Sequence, residues 1–240
     1  MFHHLHDGRK HIKSQGSITS DELHKLIKNL NKKKLLNPDV FIEKIKDNSL
    51  QKDEICLSFD DGLKSQVDIA APVLEDHKVK AFFFVYTNFE TSRINIEALR
   101  YFREKYFNSI DEYYYEFFKI YEDISHNSKS KLISKYKNHI KNYSKKFKFY
   151  SLDDILYRKI RDAKSSKEQF IKVNKMLFKQ KKFNYKKSIN NFYMRKKDYK
   201  MLNVLGHNIG LHSHTHPTNL NLLSFEKQFD EFNKNKTILE

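Results

Sequence analysis

The 240-residue chain has a single cysteine, Cys56, so no disulfide can form within it, which fits a reducing compartment. Its opening MFHHLHDGRK has no apolar core of the kind a secretory leader requires, and no hydrophobic run approaches the length of a membrane span. Together these absences read as a cytoplasmic protein, at most peripheral to an inner membrane. Glycine and proline are scarce, and between residues 91 and 200 there is neither. With the strongest helix breakers missing, that stretch is free to run as helix. There is no internal repeat. What remains is an ordinary globular balance, 39% hydrophobic and 32% charged, in a chain long enough for one large domain or two small ones with a real core.

The net charge of +16 is local. Residues 129–200 hold 24 Lys/Arg against 5 Asp/Glu, a net of +19, and the rest of the chain is slightly acidic. A localised positive field attracts anionic surfaces or phosphate-bearing partners. A solvated lysine face in a chain rich in lysine, asparagine, isoleucine and tyrosine is the simpler reading. No glycine-rich or arginine–aromatic pattern marks the segment for a specific nucleic acid.

Periodicity and punctuation lay out the elements. Residues 1–6 read as a short strand. SITSDELHKLIKNL reads as a helix capped by Thr19 or Ser20, and NPDVFIEKIKDNSL as a second helix with Pro38 near its start. The apolar runs 54-EICLSF-59 and 80-KAFFFVY-86 read as buried strands, with Cys56 as a small apolar group in the first. The helical KSQVDIAAPVLEDHK lies between them, an order that suggests parallel pairing through a right-handed crossover. From about 91 to 200, Tyr, Phe, Ile and Lys at spacings of three and four predict four to six helices. A helix then ends at Gly206, a strand runs 208-NIGLH-212, and SFEKQFDEFNKNKTILE is a helix capped by Ser224, with Lys227 where a capping box needs Glu or Gln.

Four histidines crowd the stretch 206-GHNIGLHSHTHPTNLNLLS-224: His207, His212, His214 and His216. In one extended strand His212 and His216 would stand about 13 Å apart, at about 3.3 Å per residue. Two ligands of one zinc each reach it at about 2.1 Å, so a shared metal demands that the chain turn after His212. Pro217 and the polar TNLN are consistent with a loop there. His214 then points elsewhere, and His207 reads as a polar turn residue. A carboxylate is the usual third ligand, and 57-LSFDDGLKS-65 offers two adjacent aspartates after an apolar strand. Two such carboxylates resist joint ionisation unless a cation neutralises one, leaving the other as a base. Gly62 permits a sharp turn close to a ligand. His3, His4 and His6 either line such a site or form a surface cluster.

SFDDG followed far downstream by GLHSHTH resembles the two leading motifs of the polysaccharide deacetylases, the NodB-homology family also called carbohydrate esterase family 4. APVLEDHKVKAFFFVY resembles the helix and strand after the first motif, KKDYKMLNVLGHNIGLHSHTHPTNL the run into the second, and MFHHLHD the short histidine-bearing opening strand of some relatives. The motifs and their flanks cover about ninety residues. The resemblance implies an α/β fold: a partial, distorted (β/α) barrel, its first part at 1–90, a basic all-helical insert at 91–195 and its continuation at 196–240. It implies that Asp61, His212 and His216 hold a divalent metal, most often zinc, and that Asp60 is the general base toward the attacking water. The implied activity is hydrolysis of an N-acetylated or O-acetylated sugar in a bacterial polysaccharide or its precursor, releasing acetate.

Two departures from the family pattern stand out. About 150 residues separate the motifs, against a few tens in compact members, and the insert that fills them reads as a lid or platform for a large substrate. The later motifs, which supply an orienting arginine and a catalytic acid histidine, have no counterpart after His216, so the chain reads as a fragment of a longer protein. Two other functions stay open at this point: a non-catalytic carbohydrate-binding protein that keeps the metal, and an anionic-surface or nucleic-acid binder acting through 129–200.

Overall fold

A computed structural model of the chain describes residues 1–89, 94–217 and 219–240. The chain divides into two compact units, Met1–Asn95 with Lys187–Glu240, and Ile96–Lys186. The expected start of the helical insert at 91 lies outside the described residues, as does Thr218 of the TNLN segment.

In the first unit α1 (Ser20–Asn29) starts at Thr19, whose hydroxyl accepts from the Glu22 amide while the Glu22 carboxylate accepts from the Thr19 amide. That reciprocal cap satisfies two of the helix's orphan donors. Leu23 and Ile27, one turn apart, face inward. α2 (Pro38–Lys46) has proline in its first turn, where the missing N–H costs nothing. The first strand, β1, is Leu57–Asp60, shorter and later than the apolar run suggested. Cys56 therefore precedes it, half-buried, with its thiol pushed up to about 11 by burial. The segment expected as one helix opens instead with a π-helical turn, Gln66–Ala70, before α3 (Ala71–Asp76). β2 is Ala81–Val85.

The second unit is helical: α4 (Ile96–Tyr106), α5 (Ile110–Ser125), α6 (Lys129–Lys135), α7 (Lys137–Lys146), α8 (Leu152–Asp162) and α9 (Lys167–Gln180). Serines 109, 128 and 151 cap α5, α6 and α8 by accepting backbone amides. The core is aromatic, built on Phe102, Tyr113, Phe117 and Tyr157. Tyr113 Oη donates to Asn174 Oδ1 at 2.8 Å, and Asn174 Nδ2 donates to the Phe170 carbonyl, so the polar atoms of these two buried side chains are partnered.

The chain leaves that unit within α10 (Tyr185–Ile189). α11 (Lys196–Val204) ends on Gly206 at φ +81°, a left-handed position that glycine takes without a Cβ clash. β3 (Asn208–Leu211) and α12 (Phe225–Leu239) follow. Ser224 precedes α12 without a side-chain cap bond.

The three strands pair in parallel in the order β1-β2-β3. Residues 1–6, expected as a strand, contribute isolated bridges at Phe2 and Leu5; Phe2 lies parallel to Phe59. Among the described residues the sheet is open, and no closed barrel forms. Phe59 and Phe83 stack beneath it at 5.0 Å and are fully buried, with α1 and α3 supplying Leu23, Ile27, Val73 and Leu74 to the same core. Parallel register aligns the C-terminal ends of the strands: Asp60 sits opposite Phe84, and Val85 opposite Leu211. Asp61, His212 and His3 thereby leave the sheet at one edge. β3 passes so close to β2 that a Cβ on Gly210 would come within 2.4 Å of the Phe84 ring.

Candidate metal centre

The aspartate pair is shaped by backbone conformation. Asp60 closes β1, and Asp61 and Gly62 are both left-handed, at φ +78° and +64°. Aspartate tolerates that region better than most residues, and glycine at no steric cost. A Cβ on Gly62 would sit 2.8 Å from Val85 Cγ1, so glycine is needed for space as well. Gln66, in the π-helical turn, holds the position: its Nε2 donates to the carbonyls of Asp60 and His3, at 2.5 and 2.9 Å.

His212 follows β3 directly, and the chain then turns. Ser213 and His216 are left-handed, at φ +65° and +49°, and the His216 amide donates to Ser213 Oγ at 3.2 Å. The turn brings the rings of His212 and His216 to 4.9 Å. Both present Nε2 to Asp61 Oδ1, at 3.2 and 3.5 Å. One ligand atom from each of the three residues lies within 4.8 Å of the other two. His214 turns away, its Nδ1 2.9 Å from Thr87 Oγ1.

Residues that sequence reasoning passed over hold this loop. Asn235, wholly buried on α12, accepts from the His212 amide and donates to the Val85 carbonyl, both at 2.9 Å, and to Thr87 Oγ1 at 3.2 Å. One turn earlier, Glu231 accepts from the amides of His214 and Thr215 and from the Thr215 hydroxyl. Tyr86 stacks on His216 at 5.0 Å, and its hydroxyl meets that of Tyr193, which also bonds Asn95. A polar residue recurring after four positions on α12 was the only available signal, and such spacing usually marks a solvated face.

Electrostatics separate the two carboxylates. Burial raises the pKa of Asp60 and outweighs the pull of His212 and His3. Burial pushes Asp61 the same way, but His212, His216 and His3 more than offset it and hold its carboxyl below the usual range. Burial lowers the pKa of His212, and Asp61 and Asp60 reverse that into a net rise. Asp60 Oδ1 is buried without a hydrogen-bond donor, and Asp61 Oδ1, also buried, faces the two imidazoles in poor alignment. Leaving an acceptor so costs about 1–3 kcal/mol, more for a charged group. A cation between Asp61 and the imidazoles would satisfy that oxygen, and one carboxylate with two imidazoles is a donor set that zinc sites use. The residues fit a divalent ion.

Of the N-terminal histidines, His3 reaches the site, its Nε2 3.9 Å from Asp60 Oδ2. His4 stacks beside His3 at 6.0 Å. His207, expected as a polar turn residue, is buried. Its Nδ1 accepts from the Ala81 amide, its ring meets Phe83 edge-on, and burial pushes its pKa down to about 4.

The family model described as polysaccharide deacetylase matches residues 47–112, the span that carries β1, the Asp60–Asp61–Gly62 turn, α3 and β2. No curated protein and no solved structure matches the chain. The resemblance to polysaccharide deacetylases therefore holds for that span, and it points to hydrolytic deacetylase chemistry on an acetylated carbohydrate in general terms.

Proposed function

We propose that the protein is a metal-dependent deacetylase that removes an acetyl group from a sugar of a bacterial polysaccharide or its precursor, and that its sheet is part of the distorted barrel such enzymes use. The observation that carries the reading is the convergence of Asp61, His212 and His216 beside a second buried carboxylate, at the end of the family-matched strand. These three would hold the ion, with zinc the natural choice for two imidazoles and a carboxylate. A divalent metal bound there supplies Lewis acidity, which makes water more acidic and the acyl carbonyl more electrophilic.

This chain's residues do the rest. Asp60 accepts the proton of the attacking water as its oxygen bonds to the acyl carbon. The proton taken by Asp60 passes to His3, whose Nε2 lies 3.9 Å from Asp60 Oδ2, and from His3 to the departing nitrogen or oxygen as the C–N or C–O bond breaks. Acetate and a free amine or hydroxyl result. Tyr86, Glu231 and Asn235 fix the histidine loop so that both imidazoles point at one place.

The test is zinc content and acetate release, measured on the whole chain against a panel of N- and O-acetylated saccharides. Asp60→Asn should keep the metal and lose roughly a hundredfold or more in rate. Full activity in that variant removes Asp60 as the base. Bound zinc with no acetate released from any saccharide would leave a metal-retaining carbohydrate binder as the function.

A further inference from the structure

The second unit carries a surface unrelated to the metal centre. From Lys129 to Tyr150, α6, α7 and the turn after them contain eight lysines, no arginine and no acidic residue. Lys137, Lys141 and Lys145 recur at every fourth position of α7, one above another on one face, and all three are exposed. No residue of α7 is buried. The other stripe of the helix, with Tyr143 and leading into Phe147, is half-buried, and the rings of Tyr143, Phe147, Phe149 and Tyr150 pack on one another at 4.4–6.1 Å. Arg158 of α8 lies 4.2 Å from the Tyr150 centroid. Phe149 is left 67% exposed at the helix end.

Left in water, α7 opposes itself. Like charges four residues apart destabilise a helix, and Lys137 stands in a first turn that has no acid, where the helix dipole repels cations. Among the described residues only Lys129 of the eight lysines has a carboxylate within ion-pair distance, that of Asp153. A polyanionic surface would relieve all of these repulsions at once.

We propose that the lysine face of α7, together with Phe149, docks on an anionic lipid bilayer. Charge complementarity assigns the occupant: a row of unpaired lysines faces headgroups, and an exposed phenylalanine offers contact at the acyl boundary. A nucleic acid fits less well. The segment has no arginine to read base edges, and Tyr143, Phe147 and Tyr150 are already stacked among themselves and not free to take bases.

Cosedimentation of the full chain with phosphatidylcholine vesicles, with and without roughly a third of phosphatidylglycerol, tests this. The chain should pellet with the anionic vesicles alone and come off as salt rises. Replacing Lys137, Lys141 and Lys145 by Gln should weaken partitioning about a hundredfold, at roughly fivefold per lysine. The same change at Lys172, Lys175 and Lys179, exposed on α9, should cost far less. Helix content by circular dichroism should not fall in the α7 variant, because the substitution removes repulsion. No binding to anionic vesicles at low salt, equal losses in the two triple variants, or tighter binding to a single-stranded oligonucleotide than to vesicles overturns the proposal.

Discussion

Replacing Asn235 by Ala removes a side chain that holds the histidine loop through its backbone. Its amide oxygen takes the His212 N–H, and its amide nitrogen serves the Val85 carbonyl and Thr87 Oγ1. The site is fully buried, so water cannot replace these bonds without entering the core. Each bond contributes about 1 kcal/mol net, and an orphaned buried partner costs about 1–3 kcal/mol, so the expected loss of stability is about 2–4 kcal/mol. Some of that loss falls on the metal centre. The His212 amide still has the Val85 carbonyl at 3.2 Å, but nothing then fixes the loop to α12 at that point, and His212 can swing away from Asp61. Loss of such an outer partner weakens metal binding about 10–100-fold. Zinc affinity, measured by competition with a chromophoric chelator, reads this without any need for substrate. Chemical denaturation of the metal-free protein separates the stability loss from the affinity loss. Asn235→Ala with wild-type zinc affinity would refute the argument that α12 positions the histidine loop.

Gly62→Ala forces a Cβ to within 2.8 Å of Val85 at a left-handed φ, and should lower the denaturation midpoint by the equivalent of about 1–3 kcal/mol; an unchanged midpoint would show that the turn relaxes freely. Buried His207 is held neutral, with its pKa pushed down to about 4 from an unfolded value of about 6.5. The unfolded chain therefore binds more protons between those values. This contribution to stability is complete above pH 6.5 and is lost as pH falls toward 4, by up to about 3 kcal/mol, so denaturation of His207→Gln should show a flatter slope across that window. His3→Gln should leave zinc affinity unchanged while slowing acetate release by roughly a hundredfold, and equal loss of both would make His3 a structural residue.

The elements that were legible in the sequence are those fixed by local rules. Thr19, one of two cap candidates in the sequence, starts its helix, and Pro38 marks a helix start in the same way. The turn after His212 follows from reach once His212 and His216 are taken to share one metal, and left-handed Ser213 and His216 provide it. What stayed hidden depends on partners distant in the chain. Nothing near Gln66 announces a π-helical turn, because its reason is a side chain drawn to the carbonyls of His3 and Asp60. His207 looks like a turn residue until the register of β2 and β3 sets it against Ala81 and Phe83. Glu231 and Asn235 look like a solvated helix face until α12 folds back on the loop that precedes it. The three-stranded sheet was legible as two apolar runs and a histidine-bearing strand, but its extent was not, since no local pattern states how many strands a sheet contains.

Zinc binding to the whole chain, followed by X-ray absorption at the zinc edge, tests the central claim most directly. The account predicts stoichiometric zinc in a shell of nitrogen and oxygen with the multiple scattering of two imidazoles, and loss of tight binding in Asp61→Ala, His212→Ala and His216→Ala alike. Zinc that fails to bind, or that binds equally well without Asp61 or either histidine, would contradict it.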